Sequence, residues 1–113
     1  MNRREFIALA GAAAVLPQPV TRGVVLFDAR YGDSRQLAAV LAGRGFEPLA
    51  TNQDVVRLWY ESAVLRTAVQ VAGVTPHSDL EILRRLLGKK RLVSQRAVRA
   101  HDRRGALVSW HFA

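Results

Sequence analysis

The chain has 113 residues, with 17 Lys and Arg against 9 Asp and Glu and no cysteine. That length accommodates one domain and excludes a multidomain enzyme, while the missing cysteines exclude a disulfide framework, a thiolate zinc site and a cysteine nucleophile. Hydrophobic residues make up 50% and charged ones 23%, as in a packed globular chain, and the formal charge of +8 favours acidic partners: nucleic acid, anionic lipid or small anions.

In residues 1–16, two arginines precede an apolar run from Phe6 to Leu16. The run is too short to cross a bilayer, which takes about 20 helical residues. A basic start, a short and mildly apolar stretch and small residues behind it have the layout of a secretory signal. The order Asn2-Arg3-Arg4-Glu5-Phe6-Ile7 resembles the twin-arginine (Tat) signal. Arg3, Arg4, Phe6 and Ile7 fit its pattern, and Ala8 stands where Lys is frequent. The resemblance implies export of a folded protein to a bacterial periplasm through the Tat translocase, or a membrane tether where the segment stays uncleaved. Ala12-Ala13-Ala14 offers small residues for cleavage. The resemblance is confined to residues 1–16, and residues 20–113 are read from their own chemistry.

Pro17-Gln18-Pro19 predicts an extended linker over residues 17–22, because each proline fixes its own φ and restricts its predecessor. Residues 23–113 then form one α/β domain. Gly23 to Phe27 is a continuous apolar run that predicts a strand buried on both faces. Asp33 or Ser34 is positioned to cap a helix carrying Leu37, Val40 and Leu41, which Gly43-Arg44-Gly45 ends. Phe46 to Ala50 predicts a second strand, placed at a sheet edge by Pro48. Asp54 opens a helical stretch with Val55, Leu58, Trp59, Ser62 and Leu65 near one face. Ala68 to Val74 predicts a third strand. Pro76 and Ser78 signal the start of a helix whose apolar face is Leu80, Ile82, Leu83, Leu86 and Leu87, with Gly88 at its end. Arg91 to Ala100 and Ala106 to Phe112 predict an antiparallel hairpin around residues 101–105. The resulting order, β-α-β-α-β-α-β-β, implies a small, Rossmann-like, mostly parallel sheet closed by that hairpin.

In open α/β sheets, ligands bind beyond the carboxyl ends of the strands. That rule gathers Asp28, Arg30, Tyr31, Asp33 and Ser34 after the first strand. It adds Thr51, Asn52 and Asp54 after the second, and Thr75, His77, Ser78 and Asp79 after the third. One reading is anion capture by Arg30, Tyr31, Ser34, Thr75 and Ser78, with helix N-termini supplying backbone N–H groups. A second is a minimal hydrolase or transferase, with His77 as general base, Asp28 or Asp79 orienting it, and Ser34 or Ser78 as nucleophile. No Gly-x-Ser-x-Gly elbow supports the second reading. His77, His101 and His111 lack tight ligand spacing, so no metal is expected. No Gly-x-Gly-x-x-Gly follows the first strand and no Walker-type loop occurs, so no nucleotide cofactor is expected.

The segment from Arg84 to Arg104 is dense in cations, with Arg84, Arg85, Lys89, Lys90 and Arg91 at its start and Asp102 its one acid. Such a patch suits nucleic-acid phosphates or an anionic membrane face. No nucleic-acid motif or aromatic stacking platform accompanies it, which disfavours nucleic acid. The leading expectation is an exported protein that binds a small anion or a protein partner at the strand-end loops, without chemistry of its own. The hydrolase or transferase and a cytoplasmic polyanion or nucleic-acid binder acting through residues 84–104 are the alternatives. An unpaired sheet edge leaves room for a homodimer.

Overall fold

The computed structural model describes residues 23–98 and 107–113. The expected signal, the linker and the tip of the C-terminal hairpin, with His101, lie outside the described residues. The elements are β1 (Gly23–Phe27), α1 (Gly32–Ala42), β2 (Glu47–Ala50), α2 (Val55–Glu61), α3 (Ala63–Thr67), β3 (Gln70–Pro76), α4 (His77–Leu86), β4 (Leu92–Val98) and β5 (Leu107–Phe112). They form an α/β fold around a five-stranded sheet in the order β2-β1-β3-β5-β4.

The sheet is mixed. β1 pairs in parallel with β2 and with β3, while β5 lies antiparallel to both β3 and β4. The expectation of a mostly parallel sheet is therefore corrected to a parallel core with an antiparallel half. The hairpin explains the difference. After α4 the chain lays β4 down at the far edge and returns, so β5 fills the place beside β3. β2 is the other edge, with Glu47 and Pro48 exposed, as the missing N–H of Pro48 requires.

Helices cover the sheet on both faces. Leu37, Ala38 and Leu41 of α1 pack on Val25, Ala72 and Val74. Val55 of α2, Leu65 of α3, and Leu80 and Leu83 of α4 pack on the other face, against Val24, Leu26, Val71 and Trp110. Trp110 needs room at the centre of that layer, and Gly73 supplies it. A Cβ there would stand 2.7 Å from both the Leu26 carbonyl oxygen and the Trp110 ring. The indole N–H donates to Thr75 Oγ1 at 2.9 Å, and Phe112 meets the indole edge-on, with ring centroids 5.6 Å apart.

Three local expectations are corrected. α1 begins at Gly32, and neither Asp33 nor Ser34 caps it. The stretch from Asp54 to Leu65 is two helices, because Ser62 leaves helical geometry (φ −112°, ψ 102°) and its Oγ accepts from the N–H of Leu65 to cap α3. A serine hydroxyl competes for backbone donors in this way wherever the chain can bend. β3 runs from Gln70 to Pro76, later than Ala68 to Val74, and its last residue pairs with Leu107 of β5.

Candidate functional site

Adjacent strands β1 and β3 send their following helices to opposite faces of the sheet. Such a divergence opens a crevice at the strand carboxyl ends. Asp28 stands there directly after β1 and is buried. Arg30 closes on it as a fork: Nε donates to Oδ1 at 2.9 Å and Nη2 to Oδ2 at 2.6 Å, while the Arg30 backbone N–H also donates to Oδ1. The guanidinium lies 5.3 Å from the Tyr31 ring centroid. Its bond to Asp28 raises the pKa of Arg30 above its already high ordinary value. Asp79, half-buried in the first turn of α4, feels the same pair. Desolvation and the Asp28 charge push its pKa up, and Arg30 offsets part of that.

The structure brings Asp28, Arg30 and Asp79 into one electrostatic group and sets the other strand-end candidates to other tasks. Ser34 Oγ accepts from the Asp28 N–H at 2.8 Å and donates to the Val74 carbonyl at 2.6 Å, fully buried. Thr75 is buried beneath Trp110 and donates to the Pro76 carbonyl. Neither hydroxyl is presented to a ligand, which corrects their assignment as binding residues. Ser78 and His77 are exposed, and the charged neighbour of the imidazole is Glu81 on the next turn, at 3.9 Å. A Ser34–His77 nucleophile pair is not assembled, because the Ser34 proton is committed to a carbonyl. His111 is buried in β5 with Nε2 3.0 Å from Gln70 Oε1, and burial lowers its pKa. Among the described residues no group of three His, Cys, Asp or Glu side chains converges.

At the end of β2 a cleft of about 430 Å³ is lined by Thr51, Asn52, Asp54, Arg57 and Glu61. Asp54 caps α2 through the Arg57 N–H, and Arg57 pairs with Glu61 at 2.9 Å. Asn52 and Gln53 take left-handed φ values of 50° and 64° in the turn, and Thr51 Oγ1 is buried without a hydrogen-bond partner.

The basic segment is divided by the fold. α4 starts where β3 ends and runs back along the sheet, so its last turn lies at the amino-terminal pole. There Arg85, Lys89 and Lys90 line a cleft of about 490 Å³ with Leu86, Leu87, Trp59 and Arg66. Arg66 Nη1 donates to the carbonyls of Trp59 and Tyr60 at 2.7 and 2.8 Å, and Lys90 Nζ donates to the Val69 carbonyl at 3.0 Å. These neutral acceptors fix the cations in place without cancelling their charge. No carboxylate lines the cleft. Arg84 faces Glu81 instead, at 3.8 Å, and Arg91 exchanges backbone hydrogen bonds with Ala113. Sequence reasoning found Arg85, Lys89 and Lys90 but missed Trp59 and Arg66. These lie on the α2–α3 pair, far from the basic run in the chain, and no local pattern links the two segments. No family model, no curated protein and no solved structure matches this chain.

Proposed function

We propose that the protein binds anionic ligands without chemistry of its own, and that the cleft of Trp59, Arg66, Arg85, Lys89 and Lys90 is the binding site. The observation behind this is the convergence of four cations on one concavity that no carboxylate lines. Its volume of about 490 Å³ falls in the range of small-molecule sites, roughly 300–1,000 Å³. The strand-end crevice suits an anion less well. It presents Asp28 and Asp79; of the cations there, Arg30 is already matched to Asp28, and Arg35 is tied to the Ala29 carbonyl. Export through the Tat translocase remains part of the proposal on the strength of Arg3, Arg4 and Phe6, and so does a Rossmann-like reading of the β2-β1-β3 triplet.

The site contains its own reporter, because Trp59 is half-buried and the other tryptophan, Trp110, is fully buried. Titration with inorganic pyrophosphate at low salt should change the Trp59 emission to saturation. Affinity should fall steeply as salt rises, and the Arg85→Ala, Lys89→Ala double variant should lose at least tenfold. An unchanged affinity in the double variant would place the anion elsewhere and overturn the assignment.

A further inference from the structure

Two residues whose backbone touches the cleft cations expose apolar side chains to water. Tyr60 is 71% exposed and Val69 is 60% exposed. Their backbone carbonyls are among the groups that hold Arg66 and Lys90 at the cleft, so both residues adjoin a cleft cation. A freely dissolved phosphate needs only the cations. Exposed apolar residues adjoining the cations gain from burial when the phosphate belongs to the surface of an apolar phase. Tyrosine and tryptophan favour the water–bilayer interface, and aliphatic side chains gain by leaving water. Each basic side chain near an anionic leaflet strengthens binding about fivefold. The chain's charge of +8 adds long-range attraction to such a surface and opposes the approach of a second copy through the same face.

We propose that this pole docks on an anionic phospholipid bilayer, with the cleft of Arg66, Arg85, Lys89 and Lys90 on a headgroup phosphate and Tyr60 and Val69 entering the headgroup layer. The proposal rests on the cleft being an anion site, and the two can fail separately.

The test is co-sedimentation of the full chain with vesicles of phosphatidylcholine alone and of equal parts phosphatidylcholine and phosphatidylglycerol, alongside the pyrophosphate titration. Binding is expected to the phosphatidylglycerol vesicles only. The Tyr60→Ser, Val69→Ser double variant should lose at least tenfold in vesicle affinity and keep its pyrophosphate affinity, because the carbonyls that position Arg66 and Lys90 remain. Pyrophosphate binding without vesicle binding would overturn the docking proposal and leave the cleft assignment standing. Loss of both would overturn both. Equal vesicle binding by the double variant would reduce the effect to general charge and refute docking through this face. Tighter binding to duplex RNA than to the vesicles at the same salt would replace the bilayer with a nucleic acid.

Discussion

Ser34 sits in the first turn of α1, yet its hydroxyl serves the sheet. It accepts from the Asp28 N–H and donates to the Val74 carbonyl, tying the ends of β1 and β3 together from beneath the crevice. Ser34→Ala would leave both backbone groups buried and unpaired. The expected loss is about 1–3 kcal/mol, read by chemical denaturation, and an unchanged midpoint would contradict this role. His111 makes a second prediction at this scale. Burial holds its folded pKa below the ordinary value of about 6.5, so the unfolded chain takes up a proton that the native state resists. Stability should therefore fall as pH drops below about 6.5, by up to ~1.4 kcal/mol per pH unit, and level off below the folded value. Asp79 acts in the opposite sense. Its raised pKa gives stability at low pH that is lost as pH rises through its folded value. Comparing denaturation of the native chain with a His111→Gln variant isolates the imidazole, because only the native chain should lose stability by this route.

At the scale of elements, boundaries follow local capping chemistry, and the sheet follows burial. Asp54 is the N-cap of α2, its carboxylate accepting from the Arg57 N–H at 2.9 Å. Asp54→Ala should cost about 1 kcal/mol in thermal or denaturant unfolding, and an unchanged midpoint would contradict the capping role. β1, β2 and β3, and the helices that join them, were legible because each is a contiguous run with its own periodicity and stop signals. The break at Ser62 was not. The apolar spacing from Val55 to Leu65 fits one helix as well as two, and the decision lies in the backbone geometry of a single serine. The start of α1 was misplaced for a related reason. Asp33 and Ser34 both have the chemistry of a cap, but the sheet beneath claims the Ser34 hydroxyl.

The whole molecule places two charged regions at opposite poles. The strand-end crevice holds Asp28, Arg30 and Asp79, while the opposite end gathers unneutralised cations around Trp59. Among the described residues no further strand flanks either edge strand, β2 or β4. The proposed route to the periplasm is tested at this scale, by fractionating a bacterial host that expresses the native chain or an Arg3→Lys, Arg4→Lys variant. The native chain should reach the periplasm and the variant should stay inside. A cytoplasmic native chain would reject the Tat reading. The sequence by itself determined the α/β class, the edge position of β2, the C-terminal hairpin and the basic run, because each depends on neighbouring residues and their local backbone preferences. Only the tertiary structure decided that β5 stands between β3 and β4, that Arg30 is bound to Asp28, and that Arg66 and Trp59 join Arg85 and Lys90. Those outcomes depend on which apolar faces bury one another, and burial brings together residues that no local pattern relates.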